Sequence, residues 1–544
     1  MTVITDQNAK RSVSGEWLAS AGLLGVVLVI GLATVHDVGI TIDEFLFDGY
    51  GPMALAWYLS LGADRALTDH FGTWFYGPWF QIVTAVAQSF HAADDFDVRH
   101  ALSFVVGLSG LAAIVPIGRM AIGPWAGFVA LALCLLTGTL YGHLFFTPND
   151  VPFMAVMTWA LLAIIAMARG GTPSWRATLT AGACCGLAIA TRIGGILAQV
   201  YLVAAMSLLC IEIIALRGRA GFTSIVQTAV RTASALAIGW LAAILLWPYL
   251  QAANPLERFL SAYRHFGEIK LEMVAPLWGG QVSTTMLPWY YIPGELAARL
   301  PEIFIVLLLA ALGFGIVATA ALFRRLPRGL TAAVVQLAGA RALLLIMAAA
   351  LAPMLFIIAT GSTLYDGIRH ILFTLPPLAL IAAWAMLKLA PMIRRFPIPF
   401  ATLAAAQVIS AVFIMVKLHP LEYIATNAFA GWTAGSYGRF ELDYWTVAAT
   451  PALRRLEMRI AQERSAPDEP PRLFICIPWR EHMVAPMFRR AWRIADNPQT
   501  ADFIIETERY HCAKDAGGKL IDEVIRFGKP FAWTYRMSNM ENPR

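Results

Sequence analysis

The fold is decided first by an uninterrupted apolar stretch near the start of the chain, WLASAGLLGVVLVIGLATVHDV at 17–38. About 20 apolar residues suffice for a helix to cross the hydrocarbon core of a bilayer. Lys10 and Arg11 precede the stretch, as in a signal peptide, but it is longer than a signal peptide's apolar core and lacks a small-residue cleavage site. We therefore predict that residues 17–38 remain in the protein as its first membrane helix.

The composition of the whole chain agrees with this start. Of 544 residues, 58% are hydrophobic and only 14% are charged, and the mean hydropathy is +0.63. Soluble proteins carry about 25% charged residues, so a water-soluble enzyme is excluded. The net charge of +6 lies between apolar segments and not on one face, so it is explained by orientation in a membrane and not by nucleic acid. We predict a polytopic membrane protein that binds no nucleic acid.

About eleven apolar runs are long enough to be crossings. They lie at 17–38, 100–118, 123–141, 151–168, 177–191, 194–216, 232–250, 302–323, 342–360, 371–387 and 398–416. Only the turn TRIGG at 191–195 separates the fifth run from the sixth, and loss of that turn would reverse the orientation of everything downstream.

Basic residues indicate the orientation. With a cytoplasmic N-terminus, the inside loops hold Lys10, Arg11, Arg119, Arg169, Arg176, Arg217, Arg219, Arg231, Arg324, Arg325, Arg328, Arg341, Lys388, Arg394 and Arg395. This is the positive-inside pattern. The opposite loops hold most of the acidic, His, Trp and Tyr residues. We therefore expect the chemistry, if any, on the outer side, which is periplasmic or extracellular.

After residue 417 the composition becomes that of a soluble protein. Short apolar runs predict strands at 473–478 and 503–505, and amphipathic patterns predict helices at 446–463 and 483–494. The predicted fold class is thus mainly α, with about eleven transmembrane helices (1–417) and a small C-terminal α/β domain (418–544) on the outer side.

The tail domain also contains Cys476 and Cys512. An oxidising compartment would allow these two cysteines to pair, but the sequence provides no geometry for the bond.

The first outer loop opens with an acidic pair, Asp43 and Glu44, in the sequence TIDE at 41–44. Two carboxylates at this depth are costly unless they face a water-filled cavity, which is compatible with an active site at the bilayer surface. The alternative is that they cap a following interfacial helix.

The second outer loop is short and reads FTPNDVPF at 146–153. Asp150 either caps the fourth membrane helix or converges with Asp43 on a metal, a phosphate-bound ion or an acceptor group. Its neighbour Asn149 belongs to the same candidate site.

Between the ninth and tenth crossings lies the polar stretch TLYDGIRH at 363–370. Arg369 is suited to grip a phosphate through its fork of donors, or it is a snorkelling anchor at a helix end. Arg192, in the turn between the fifth and sixth crossings, has the same two interpretations.

Common soluble-enzyme motifs are missing. The sequence has no P-loop, dinucleotide fingerprint, GxSxG or HExxH motif, and the DFD at 95–97 is better explained by helix-start electrostatics than by metal binding.

The ordered set of polar motifs resembles the membrane glycosyltransferases of the GT-C class, in particular bacterial family 39 proteins related to protein O-mannosyltransferases and the lipid A aminoarabinose transferase. The motifs that carry the resemblance are the pair Asp43–Glu44, PNDVPF at 148–153, LYDGIRH at 364–370, LHPLEY at 418–423, Asn427 and RFELDYW at 439–445.

The resemblance implies a polyprenyl-phosphate sugar as donor and a lipid, polysaccharide or protein acceptor. Asp43 would remove the acceptor proton in one inverting displacement, with Glu44 positioning the substrate beside it. Arg369, followed by His370 and Arg192, would stabilise the departing phosphate.

Asp150 would contact the acceptor, or bind a divalent metal together with Asp43, since some GT-C enzymes need a metal and others do not. The chain lacks an obvious inserted β-trefoil domain, which makes protein acceptors less favoured. The alternatives are a polytopic transporter or flippase, whose polar sites usually lie nearer the membrane midplane, and a non-catalytic membrane scaffold.

Overall fold

The protein is a multi-pass membrane protein, mainly helical, with a small C-terminal sheet. The computed structural model describes residues 9–70, 72–90, 95–146, 149–325, 330–462, 470–478, 487–488, 491–513 and 516–537. Within these ranges, eight helical stretches are long and apolar enough to cross a membrane, and one of them, Ile193–Leu246, contains two helices.

Each of the eleven predicted apolar runs is helical. The helices are Ala9–Thr34, Asp95–Ala112 with Ile114–Ala121, Ala126–Leu135, Asp150–Met167, Trp175–Ile189, Ile196–Arg217, Phe222–Leu246, Glu302–Arg325, Arg341–Thr360, Leu375–Lys388 and Pro397–Leu418. Shorter helices occupy the connections, at Ile42–Leu46, Tyr50–Leu59, Trp79–Gln88, Gly138–His143, Pro248–Gln251, Pro255–Glu268, Tyr291–Arg299, Leu330–Gly339, Ala390–Arg395, Trp432–Ser436 and Ala449–Gln462.

The helix Asp150–Met167 lies at the centre of the bundle. Most of its residues are buried, and it packs against the helices Asp95–Ala112 and Trp175–Ile189 and against the 3-10 turn Arg369–Thr374. Its apolar surface on all sides explains this position, because a helix without a polar face is stable only when surrounded. The start of this helix and the 3-10 turn thus lie side by side.

The segment after the first membrane helix pairs with a segment near the end of the chain. The Ile42 amide donates to the carbonyl of Trp445 (3.3 Å), and the Ile40 amide donates to Oγ1 of Thr450 (3.2 Å). At Gly39 an added Cβ would lie 2.7 Å from the carbonyl oxygen of Val447, so a side chain does not fit there. Residues 419–448 therefore pack on the loops of the membrane bundle, and the division at residue 417 stays a prediction.

A five-stranded mixed sheet forms the C-terminal sheet domain (residues 449–537), with the helix Ala449–Gln462 packed on it. The strand order is β4-β3-β5-β7-β6, in which β3 is parallel to β4 and β5, and β7 is antiparallel to β5 and β6. The strands are β3 Arg472–Ile475, β4 Arg493–Ile494, β5 Phe503–Thr507, β6 Lys519–Arg526 and β7 Lys529–Arg536, while β1 Val274–Leu277 and β2 Gly280–Ser283 form a separate hairpin.

Of the two strands and two helices predicted in this domain, both strands and one helix are confirmed, as β3, β5 and Ala449–Gln462. The predicted helix at 483–494 lies mostly outside the described residues, and it is wrong at its described end, where Arg493–Ile494 is a strand paired with β3. The hairpin β6–β7 was not predicted. Cys476 and Cys512 form a disulfide, with their Cα atoms 5.8 Å apart.

Candidate active site

The first loop begins with a capped helical turn that exposes Asp43. Thr41 caps the helix Ile42–Leu46 by accepting from the Glu44 amide (3.2 Å), and the Glu44 side chain accepts from the Thr41 amide (2.8 Å). This is a capping box, which satisfies two backbone donors reciprocally. The capping function expected of the acidic pair is therefore carried by Glu44, and Asp43 is left to point elsewhere.

Glu44 is almost completely buried, with 1% of its side-chain surface exposed. Its second oxygen lies 2.8 Å from Nε2 of His100. Burial raises the pKa of Glu44, but His100 and the Thr41 amide together lower it by a larger amount, so the net shift is downward. The expected contact of Glu44 with substrate does not fit this placement, because both carboxylate oxygens already bind protein groups.

Asp43 forms a buried ion pair with Arg369. Nη1 of Arg369 donates to Oδ2 of Asp43 and lies 3.1 Å from Oδ2 of Asp366, and Nε1 of Trp445 also donates to Oδ2 of Asp43 (3.3 Å). The Arg369 side chain is 9% exposed, whereas 25% of the Asp43 side chain is exposed. A snorkelling anchor would present its guanidinium to water or lipid headgroups, so this placement favours a site residue.

A second ion pair joins Arg192 and Asp150. Nη1 of Arg192 donates to Oδ1 of Asp150, and the guanidinium lies 6.0 Å from the ring centres of Tyr76 and Phe153. Asn149 is buried beside this pair, where its Oδ1 accepts from Nε2 of Gln81 (3.2 Å). Asn149 thus connects the start of the central helix to the first loop.

Close backbone contact brings the first loop to Arg192. At Gly77 an added Cβ would lie 1.4 Å from the carbonyl oxygen of Ala190, so only glycine fits. Beside it, Nε1 of Trp79 donates to Oγ1 of Thr191 (2.7 Å). The loop is therefore fixed against the 191–195 turn, and Tyr76 is placed over the guanidinium.

The two ion pairs lie in one electrostatic environment. Burial lowers the pKa of Arg192, the positive charge of Arg369 lowers it further, and Tyr76 and Asp43 raise it. Burial also raises the pKa of Tyr76, while Arg192 and Arg369 oppose that shift. The structure thus brings Asp43, Arg369, Arg192, Asp150 and Tyr76 into one cluster.

His370 also belongs to this cluster. Its Nε2 accepts from Nε of Arg369 (3.3 Å), and its ring packs edge-on against Tyr365 (4.7 Å between ring centres). Among the described residues, Nδ1 of His370 is buried and has no hydrogen-bond partner.

Four further residues of the cluster were not predicted as site residues. Asp366 and Trp445 fall within stretches that the sequence motifs contain, so a signal was present for them. Asp366 has φ +60°, a left-handed conformation that Asp tolerates better than most residues. Tyr76 lies in a long loop, and Arg509 reaches Asp366 from the tail domain (2.7 Å), so the sequence gave no signal for either.

The two carboxylates expected to bind a metal, if one is present, are both paired with arginines. Asp43 and Asp150 each face a guanidinium, which competes with a divalent ion. Among the described residues, the one group of three His, Cys, Asp or Glu side chains close enough to share an ion is Cys476, Glu506 and Cys512, and its two thiols form the disulfide.

Comparisons with known proteins find similarity in structure. No protein-family model matches the sequence, and a comparison with curated proteins finds no match. The chain is similar to ArnT from Cupriavidus metallidurans bound to undecaprenyl phosphate (13% identity, 96% of this chain and 98% of that chain, TM-score 0.49) and to the same protein in the apo state (15%, 96% and 98%, 0.47).

It is also similar to the archaeal oligosaccharyltransferase AglB from Archaeoglobus fulgidus in complex with an inhibitory peptide and a dolichol-phosphate (13% identity, 96% of this chain and 75% of that chain, TM-score 0.44).

Proposed function

We propose that this protein is an inverting membrane glycosyltransferase, which transfers a hexosyl or pentosyl group from a polyprenyl-phosphate donor to a hydroxyl or amine of a glycan, lipid or protein. The observation that carries the proposal is the pairing of Asp43 with Arg369 beside Asp150 with Arg192. The four residues come from four separate stretches of the chain. Guanidinium groups bind phosphate, and a carboxylate accepts a proton, so one cluster contains both functions that this transfer needs.

The donor phosphate competes with Asp43 for Arg369. When the phosphate binds, the Arg369 guanidinium turns from Oδ2 of Asp43 to the phosphate oxygens, and the carboxylate is released to act as a base. Both hydrogen bonds described for Asp43 end on Oδ2, which leaves Oδ1 to meet the acceptor. Its partly exposed side chain gives the acceptor access.

The transfer is a single displacement. Asp43 takes the proton from the acceptor as the acceptor oxygen or nitrogen forms a bond with the anomeric carbon. The bond between that carbon and the phosphate oxygen breaks, and its electron pair leaves with the polyprenyl phosphate. Arg369 and Arg192 stabilise the negative charge that develops on this leaving group.

Other residues of the cluster orient these groups. His370 accepts from Nε of Arg369 and so fixes the plane of the guanidinium. Asp150 contacts the acceptor once Arg192 has turned to the phosphate, and Asn149 holds the helix start that carries Asp150. Glu44 acts through the capping box, which sets the direction of Asp43.

The site and the C-terminal domain belong to the outer, periplasmic side in this proposal, within the inner membrane of a bacterium. The Cys476–Cys512 pair supports this side, because disulfides persist in oxidising compartments. A reporter active only in the periplasm, fused after residue 470, should be active. Activity of a cytoplasmic reporter at the same position would contradict the placement.

The function is tested by comparing lipid-linked oligosaccharides and envelope glycans of a deletion strain and its parent by mass spectrometry. We expect one sugar substituent to disappear in the deletion strain and its lipid-linked donor to accumulate. The wild-type gene should restore the substituent, and Asp43→Asn should not. Asp48→Asn is a matched control in the same loop, because Asp48 is exposed and pairs with Arg99. Identical profiles in all strains would contradict a transferase.

A further inference from the structure

The carboxylate of Asp366 is shared by two arginines from distant parts of the chain. Oδ2 lies 3.1 Å from Nη1 of Arg369, and Oδ1 accepts from Nη1 of Arg509 (2.7 Å). Asp366 is buried, so both contacts are made with little competition from water. Arg509 belongs to the C-terminal sheet domain, which therefore reaches the site of the membrane bundle.

Arg509 is held in one orientation by several elements. Its Nη1 also donates to the carbonyl of Tyr444 (2.8 Å), and its Nη2 lies 3.1 Å from the sulfur of Met273. Burial lowers the pKa of Arg509, but the neighbouring acidic groups, Asp366 first among them, raise it by a larger amount, so the net shift is upward. The guanidinium is thus a fixed positive charge at the site.

The loop that carries Arg509 is fastened at both ends. It follows β5, and Oε1 of Glu506 in that strand accepts from the amides of Cys512 (2.6 Å) and Ala513. Cys512 is bound to Cys476, which directly follows β3, the parallel neighbour of β5. The disulfide therefore ties the loop to the sheet within a few residues of Arg509.

The charges at the site balance only when Arg509 is counted. Arg369 faces two carboxylates, Asp43 and Asp366. Without Arg509, both negative charges would hold the Arg369 guanidinium between them. Arg509 takes one oxygen of Asp366 and neutralises its charge. Arg369 is then available to exchange Asp43 for a phosphate.

We infer that Arg509 is a positioning residue of the site, which keeps Arg369 available for the donor phosphate, and that the Cys476–Cys512 disulfide acts on transfer by holding Arg509 in place. This inference rests on the proposed function. It assigns to the C-terminal domain a part in phosphate recognition.

The test uses the full-length protein in nanodiscs and undecaprenyl phosphate as the probe, so no sugar has to be known. Arg509→Gln should weaken binding about tenfold, the effect of losing one charge-assisted hydrogen-bond system. Arg509→Lys keeps the charge beside Asp366 and should bind within about threefold of wild type, since a point charge suffices there. Equal weakening by Gln and Lys would overturn the charge-balance argument.

Arg526→Gln is the matched control. Arg526 also connects the C-terminal domain to the bundle, by donating to the carbonyls of Leu418 (3.2 Å) and His419 (2.8 Å), but it contacts none of the site residues described above. It should bind the probe as wild type does. Weakening equal to that of Arg509→Gln would mean that the effect is merely one of domain attachment and would overturn the inference.

A second experiment measures whether reduction of the Cys476–Cys512 disulfide acts through Arg509. Reduction of the wild type should weaken probe binding by about the same tenfold factor, and reduction of Arg509→Gln should add little, because the fixed charge is already absent. Additive effects of reduction and Arg509→Gln would overturn this part of the inference. Reduction of Arg509→Lys, which keeps the charge, should weaken binding as it does in the wild type, and a Lys variant insensitive to reduction would overturn it as well.

Failure of the proposed function has a different signature. If Arg369→Lys matches the wild type both in binding of undecaprenyl phosphate and in turnover, the phosphate site itself is wrong. If Arg369→Lys weakens binding while Arg509→Gln does not, only the role of Arg509 is wrong.

Discussion

Two groups of carboxylates lie on either side of Asp366, and they differ in the partners that surround them. Asp43 and Asp150 each accept a hydrogen bond from an arginine. A second group, Glu441, Asp443 and Glu508, lines a cavity of about 210 Å³ between the bundle and the C-terminal sheet domain. Burial raises the pKa of these three to about 7, 8 and 7.

Neutral donors make the hydrogen bonds to the second group, although the Arg509 guanidinium also lines its cavity. Asp443 accepts from the Tyr423 hydroxyl and from the amides of Val447 (3.0 Å) and Ala448 (3.3 Å), and Glu508 accepts from the Asp443 amide (3.3 Å). Such donors satisfy a carboxyl group without a full compensating charge. The comparison teaches that the partner of a buried acid matters more than its residue type. An arginine keeps the carboxylate charged, whereas neutral donors leave the carboxyl group with a raised pKa and a structural role.

The largest expected effect comes from removing the base. Asp43→Asn keeps the size of the side chain and its contact with Trp445, but it cannot take a proton, so transfer should fall about 100-fold or more. Turnover by purified protein in nanodiscs, with the donor found in the deletion strain, measures this loss. If the folded variant turns over at the parent rate, Asp43 has only a structural role, like Glu441, Asp443 and Glu508.

Arg369→Lys tests the arginine side of the same pair. Lysine keeps the charge but loses the planar fork, and we expect transfer to fall about 30-fold, through donor affinity or through stabilisation of the leaving phosphate. Donor binding and turnover are measured separately, which assigns the loss to one of these steps. Wild-type values of both would make Arg369 an interfacial anchor.

Arg192→Lys should be milder, with a loss of about fivefold, because Arg192 is more exposed than Arg369 and faces one carboxylate instead of two. The same two measurements apply. A loss larger than that of Arg369→Lys would reverse the order of the two pairs and make Arg192 the main phosphate ligand.

The smallest effect concerns stability and pH. The pKa of Asp443 is raised from 3.8 to about 8 on folding, so the folded state binds more protons, and its contribution to stability is complete below pH 4 and is lost as the pH rises to about 8. The slope reaches at most about 1.4 kcal/mol per pH unit. Asp443→Asn should flatten the decline of the unfolding midpoint between pH 5 and 8, measured in detergent. Parallel curves would contradict the assignment.

Most of the crossings could be predicted because a bilayer demands long apolar runs. All eleven runs contain a helix, and nine of them lie in the described stretches that are long and apolar enough to cross a membrane, whereas Ala126–Leu135 and Trp175–Ile189 are shorter. Candidate site residues could be found because polar clusters such as 363–370 are unusual in so apolar a chain. The pairing of Asp43 with Arg369 could not, since 326 residues separate them and tertiary packing alone joins them. Glu44 shows a different limit, because the sequence offered both a substrate contact and a helix cap for the acidic pair, and only the fold shows that Glu44 forms the cap.

The contact between Ile42 and Trp445 has a consequence during synthesis of the protein. Asp43 leaves the ribosome 402 residues ahead of Trp445, whose indole holds its carboxylate. A nascent chain therefore inserts its first helix and Asp43, the proposed base, long before Trp445, which orients that carboxylate, has been synthesised. Chains cut short during synthesis contain the Asp43 carboxylate without Trp445 and Arg509, so the proposed site should be complete only in full-length molecules.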